Sequence, residues 1–362
     1  MNSRKVLFHF GATAVNHLKL NGVIETVLVG SREQCDKAKC LGFPGLLRRK
    51  GGFQILTYHK VSPNRDKFSI DTVTTKEFEE QIKYLSKYYN ICSLEYLIEE
   101  SLNGRINNRA LAITFDDGYQ DLYHFALPIL KKYNTPAIIF LVTGLINRTE
   151  ILWFERAINI VKYHRESELV IENEGRILKY DTDTIEMKAT STIKILEFLK
   201  SLNPDIRNKL LGALEKQFQF KGSTDSGQLM LTWEQIKEMR KYGISFGAHT
   251  VNHNILTTLS PTQLEQEIRQ SKRDIESQLQ EKVMLFAYPN GRSTDFNSGI
   301  KLLLKNSGFK CAVTTIAGLN SIATDFFELR RFRPWQNDPK MFALQLISER
   351  IKYSIKPDYV PN

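Results

Sequence analysis

The chain has 362 residues, 42% hydrophobic and 10% aromatic, with 50 Lys and Arg against 40 Asp and Glu for a formal net charge of +10. This is ordinary globular composition; it excludes disorder, collagen and coiled coil, and no fixed-period repeat indicates a solenoid or propeller. The basic residues are dispersed, and the densest cluster, Arg48-Arg49-Lys50, is too short for a nucleic-acid arm, so nucleic acid is not an expected partner.

Residues 1–50 form a basic N-terminal extension in which Arg4, Lys5 and Lys19 alternate with Val6, Leu7, Phe8, Leu18 and Leu20. They predict a helical segment, packed on the main domain or lying at the inner membrane surface as a peripheral contact. No segment reaches the ~18 consecutive apolar residues of a spanning helix. His9, Gly11, Asn16 and His17 interrupt what would be a signal core, so the expected location is cytoplasmic. Cys35, Cys40, Cys92 and Cys311 show no dense framework and agree with a reducing compartment.

From residue 51 short apolar runs of strand type recur: Phe53 to Tyr58, Leu111 to Phe115, Pro136 to Val142, Ile244 to Ala248, Val283 to Tyr288 and Phe309 to Thr315. Helical patterns lie between them, at Lys76 to Ser86, Pro261 to Leu279 and Ser298 to Ser307. Alternation of this kind predicts an α/β fold on a parallel sheet. Residues 150–230 break the rhythm with helices at Phe154 to His164, Thr192 to Ser201 and Pro204 to Phe218 around a hairpin near Val170 to Lys179, and they read as a mainly helical insertion. It separates the first part of the main domain, 51–149, from the second, 231–340, with a C-terminal helix and tail over 341–362.

Four apolar runs end in polar, chemically capable residues: Tyr58 leads to His59, Phe115 to Asp116-Asp117-Gly118, Ala248 to His249 and His253, and Tyr288 to Pro289-Asn290-Gly291. In a parallel barrel the C-terminal strand ends share one face, so these groups would converge although far apart in sequence. A bare Asp-Asp-Gly also suits a helix cap or an Asx turn. In company with two histidines four apart it has the composition of an open divalent site, with three protein ligands, one carboxylate left free and room for water. Hydrolysis of an amide or ester then needs a proton donor for the leaving group, and His59 is the only other histidine at a predicted strand end. Trp153, Trp233 and Trp335 are candidate stacking platforms, with Trp153 nearest the predicted cleft and Tyr119 a second wall.

On these residues the chain resembles the polysaccharide deacetylases that share the NodB homology domain, carbohydrate esterase family four. The matching segments are Thr114-Phe115-Asp116-Asp117-Gly118-Tyr119 and His249-Thr250-Val251-Asn252-His253. The resemblance implies a distorted (β/α) barrel of about seven strands and removal of acetyl groups from glycans with a divalent metal, Zn²⁺ first and Co²⁺ or Ni²⁺ as alternatives. It also implies Asp117, His249 and His253 as ligands and Asp116 as base. Phe286-Ala287-Tyr288-Pro289-Asn290-Gly291 is similar to the family's third motif, whose turn supplies a backbone N–H to the oxyanion, here that of Asn290. It departs from the family in having Ala287 where an Arg is usual. The Arg that orients the base must then come from elsewhere, with Arg331, Arg333 and Arg292 as candidates, and Arg333 is also placed at the substrate. No histidine follows His253. The opening segment Ile55-Leu56-Thr57-Tyr58-His59 instead resembles the circularly shifted poly-N-acetylglucosamine deacetylase branch, where an early His is the acid.

The expected activity is metal-dependent hydrolysis of acetyl groups from N-acetylated sugars of a polysaccharide, oligosaccharide or lipid-linked glycan precursor. Two alternatives stand beside it: a related barrel amidase acting on a cyclic imide or ureide, and a non-catalytic glycan-binding relative.

Overall fold

The computed structural model describes residues 52–355 except 69–70, 107–108, 174, 219–228 and 335–337. The N-terminal extension with its expected membrane contact, Cys35, Cys40 and Trp335 lie outside the described residues. Among the described residues no helix is long and apolar enough to cross a membrane.

The strands are β1 (Gln54–Tyr58), β2 (Lys60–Ser62), β3 (Thr72–Thr74), β4 (Asn90–Ile91), β5 (Ala110–Phe115), β6 (Ala137–Leu141), β7 (Glu168–Asn173), β8 (Arg176–Asp181), β9 (Ile244–Ala248), β10 (Leu285–Ala287) and β11 (Cys311–Val313). Seven of them make one sheet in the order β1-β5-β6-β9-β10-β11, with β4 also on β5, and every pairing is parallel. A segment between Leu329 and Phe332 bridges the two ends. Leu329 pairs with Val313 of β11 and Phe332 with Leu56 of β1, and the Phe332 N–H donates to the Ile55 carbonyl at 2.7 Å. The sheet is thereby curled into the expected (β/α) barrel-like shape.

Strands buried on both faces read as continuous apolar runs, which is why β1, β5 and β6 were legible as strands. Alternation along them sends Leu56, Ile113, Phe115, Ile139 and Phe286 to the cluster shared with the outer helices. Ile55, Ala112, Ile138, Phe140, Ala287 and Val313 go to a second cluster on the other face. The outer layer includes α1 (Thr75–Tyr88), α7 (Trp233–Arg240), α8 (Pro261–Leu279) and α9 (Ser298–Asn306), and the second cluster is completed by α2 (Leu94–Leu102). Helix α8 starts where Pro at the first position and the Ser260 capping box put it, matching its sequence pattern at both ends. Helices α2 and α7 are not among the helices predicted from the sequence, although Ser93 and Thr232 cap them. The last two sheet strands are shorter than their apolar runs, the remainder being irregular chain that carries polar site residues.

Between β6 and β9 the chain, after α3 (Leu127–Lys132) and β6, builds α4 (Trp153–Tyr163), the antiparallel hairpin β7–β8, α5 (Ile185–Lys200) and α6 (Pro204–Gln217). Trp153, Ile160, Leu169, Ile171, Leu199 and Leu211 form a separate apolar cluster there. Helix α5 begins seven residues before the expected Thr192. It buries Ser191 and Thr192 and exposes Ile185, Met187 and Ile193, so its first two turns lack the apolar period that marks a surface helix. Helix α10 (Pro339–Ile355) packs Phe342 against the outer cluster.

In β9, Gly247 leaves no space for a side chain: a Cβ would stand 2.5 Å from Phe140 Cδ1 and 2.9 Å from the Leu285 carbonyl oxygen. Gly247→Ala is expected to destabilise the fold by about 1–3 kcal/mol through overpacking, measured as a lower denaturation midpoint with an unchanged slope.

Candidate active site

The sequence-predicted groups meet in one cavity of about 470 Å³ at the C-terminal strand ends, lined by His59, Asp116, Asp117, Tyr119, His249, His253, Asn290, Arg331 and Arg333. Parallel strands carry residues of remote sequence to a common rim, and short irregular turns then aim them. Those turns are strained. Asp117, Thr250, His253 and Asn290 have φ of 73°, 67°, 55° and 61°, a left-handed conformation that costs non-glycine residues of order 1–3 kcal/mol each and persists where the surroundings over-determine it.

Asp116 and Asp117 diverge from β5 as different groups. Asp116 is held by Arg331, which donates from Nη1 to Oδ1 at 2.8 Å and from Nη2 to Oδ2 at 2.7 Å. Burial alone would raise its carboxyl, but the Arg331 charge and hydrogen bonds prevail and hold it well below the usual carboxylate range. Arg331 also donates to the Thr314 carbonyl and to Thr114 Oγ1, so the residue that lies in the barrel-closing segment is tied to β5 and to the end of β11. Among the three arginines considered from sequence, this one meets Asp116. Arg333 pairs with Asp71 across the cavity wall, and Arg292 with Glu197 of α5.

Asp117 has no such partner. Its Oδ1 lies 3.6 Å from His249 Nε2 and 3.4 Å from His253 Nε2, and it accepts no hydrogen bond. Burial pushes its carboxyl up to about 7 and the His249 imidazole down to about 4, and burial also holds His253 well below the ordinary histidine value. Both rings are therefore neutral at neutral pH. His249 Nδ1 faces the Ala287 carbonyl at 2.7 Å, which puts the proton there and leaves a lone pair on Nε2. Asp117 Oδ1 and the two imidazole Nε2 atoms, all buried, thus converge with no hydrogen bond among them, an arrangement that a cation relieves. Ligands about 2.1 Å from one tetrahedral ion stand roughly 3.4 Å apart, which matches these separations. Asp117, His249 and His253 are the set among the described residues that could hold a metal.

The His249–His253 turn is pinned from outside. Glu267 of α8 accepts from the Val251 and Asn252 N–H groups at 2.7 and 2.9 Å and from the Asn252 and Asn254 side-chain amides at 2.8 Å each. No sequence signal marks Glu267, which lies on an ordinary-looking helix.

His59 Nε2 stands 3.8 Å from Asp116 Oδ2, too far for a hydrogen bond, and faces the same space. Asn290 donates from its side chain to Asp295 at 2.6 Å, and its N–H makes no backbone bond among the described residues. Tyr119 lines the cavity with its hydroxyl already given to Glu155 at 2.8 Å and Lys60 Nζ 4.2 Å above its ring. Lys60 also pairs with Glu155. Tyr119 is therefore no free stacking wall. Trp153, expected as a platform, is 4% exposed, and its indole N–H donates to the His253 carbonyl at 3.0 Å. Trp233 packs on the outer cluster away from the cavity. Asn147, formally a glycosylation sequon, accepts from the Trp233 N–H at 3.0 Å and so starts α7.

Comparison with known proteins bears on the family and the fold. A family model described as polysaccharide deacetylase matches residues 103–312. YxkH of Bacillus subtilis (strain 168) is 25% identical over 281 residues, 77% of this chain and 70% of that one. The poly-beta-1,6-N-acetyl-D-glucosamine N-deacetylase of Staphylococcus epidermidis is 26% identical over 182 residues, 49% of this chain and 60% of that one. The fold is similar to that of the Streptococcus pyogenes deacetylase PplD in complex with acetate (TM-score 0.56, 23% identity, 83% of this chain and 99% of that one). It is also similar to that of IcaB from Ammonifex degensii (TM-score 0.51, 19% identity, 83% and 97%).

Removing Arg331 leaves a buried carboxylate without its counter-charge. Arg331→Met is expected to destabilise the protein by about 3–5 kcal/mol in denaturant titration, and Asp116→Asn in the same chain should recover part of that loss.

Proposed function

The chain belongs to the polysaccharide deacetylase family, enzymes acting on carbon–nitrogen bonds other than peptide bonds, and on that premise we propose that it hydrolyses N-acetyl groups of N-acetylglucosamine-containing glycans. The observation that carries this reading is the meeting, in one cavity, of the Asp117–His249–His253 lone pairs, an Arg331-held Asp116 and His59. Asp117, His249 and His253 would hold a divalent ion, Zn²⁺ in the first place and Co²⁺ or Ni²⁺ as substitutes. Bound there, it would acidify a water and polarise the acetyl carbonyl.

The remaining steps fall to the chain's own residues. Asp116, kept ionised by Arg331, accepts the proton of the attacking water. The Asn290 N–H donates to the acetyl oxygen as negative charge develops. His59, which faces the same space as Asp116, protonates the departing amine, a role that needs no later histidine in the chain. Arg333 and Tyr119 bound the space for the sugar. The glycan is the partner in this reading, in a cytoplasmic setting that fractionation tests.

Among the substrate forms expected, the cavity wall formed by Ile158 of α4 and Ile193 and Leu196 of α5 favours a glycan with an apolar group, such as a lipid-linked precursor. Ile193 is 50% exposed, a large apolar side chain left open beside a polar centre. Acetate release that rises with alkyl length in a series of alkyl N-acetylglucosaminides supports this form, and a flat series points to polymer.

The main test is acetate release from N-acetylglucosamine oligomers by protein stripped of metal and resupplied with Zn²⁺, Co²⁺ or Ni²⁺. Release should require the metal and vanish in Asp117→Ala. Asp116→Asn and His59→Ala should lose roughly 10²- to 10⁴-fold in turnover with metal still bound, and wild-type turnover in either would remove its assigned role.

A further inference from the structure

His253 is a candidate ligand on left-handed backbone: its φ is 55°, and its Nδ1 has no hydrogen-bond partner. Its conformation rests on contacts made by the 150–230 insertion. The Trp153 indole N–H donates to the His253 carbonyl at 3.0 Å, and the Phe154 ring meets the His253 imidazole edge-to-face with centroids 5.1 Å apart. Behind Trp153 lies Arg207 of α6, 1% exposed, with its guanidinium 4.2 Å from the indole centroid and Nη2 donating to Asn254 Oδ1 at 2.5 Å. Nε and Nη1 of Arg207 have no hydrogen-bond partner, so this buried cation is balanced chiefly by the indole face, Asn254 and the nearby charge of Glu267. A buried cation so placed is costly, and what it does is clamp both the residue after His253 and the indole that holds His253 itself.

We propose that Trp153 and Arg207 are positioning residues for His253, so that the insertion, and not the barrel alone, sets the protein's affinity for its divalent ion. The inference rests on the Asp117–His249–His253 metal reading. Groups that orient a ligand typically change metal affinity 10- to 100-fold when removed; here the indole N–H holds the backbone from which the imidazole extends, and the Phe154 ring lies against the imidazole itself.

The test is Zn²⁺ affinity of the full chain, by competition with a chromogenic chelator, alongside far-UV circular dichroism of the metal-free protein. Trp153→Phe keeps an aromatic face for Arg207 while removing the indole N–H and part of the ring; it should bind Zn²⁺ about 10- to 100-fold more weakly. Arg207→Met should do the same, and Arg207→Lys, which retains a donor for Asn254, should recover part of the loss. The turnover deficit of these variants should close as Zn²⁺ is raised, which general structural damage would not do. Folded Trp153→Phe and Arg207→Met proteins with affinities within twofold of wild type would overturn the inference, as would a deficit that excess Zn²⁺ leaves in place. If Arg207→Met does not fold, Trp153→Phe decides. Asp117→Ala separates the two readings: wild-type Zn²⁺ affinity in that variant would mean the metal site itself is misassigned, whereas weak binding there with unchanged Trp153→Phe would sink only the role given to the insertion.

Discussion

Arg331 and Asp116 form a bidentate pair in which both side chains are almost wholly buried. Taking two charges out of water is expensive, and such a pair contributes only when its geometry is good and its remaining donors are satisfied. Here they are, by the Thr314 carbonyl and Thr114 Oγ1. Because Arg331 lies on the segment that bridges β11 and β1, the same contacts join both ends of the curled sheet to the strand that bears the carboxylates. The closure of the fold and the ionisation state of Asp116 are one constraint. A barrel that failed to close would lose the Asp116 counter-charge, and an Asp116 without Arg331 would put an unpaired charge inside the closure.

The two adjacent carboxylates acquire opposite characters from this asymmetry. One is held low by a cation, the other pushed up by burial and by its neighbours, with the left-handed backbone at Asp117 turning its side chain away from Arg331. Two groups of one chemical type, one residue apart, thereby sit in environments that push their ionisation in opposite directions. Environment separates acid–base roles in this way wherever like residues must do different work.

The insertion has its own apolar cluster but also reaches the site through Trp153 and Phe154 to His253, Arg207 to Asn254, Glu155 to Lys60 and Tyr119, and Glu197 to Arg292.

What the sequence determined by itself were the features that depend on short-range pattern: the strands whose residues are apolar on both faces, the ends of α8 set by proline and a capping box, and the polar residues that terminate apolar runs. Their convergence follows from the parallel arrangement alone, so His59, Asp116, Asp117, His249, His253 and Asn290 could be gathered on one face before any distance was known. Tertiary structure decided everything that depends on partners remote in the chain. Three arginines were equal in sequence, and only the closing segment selects Arg331 for Asp116, 215 residues away. Trp153 has the composition of a sugar platform and became a brace, because an indole N–H within reach of a strained carbonyl is more useful buried than exposed. Glu267 and Arg207 carried no local signal at all, since a helix surface residue looks the same whether it meets water or the back of a ligand loop.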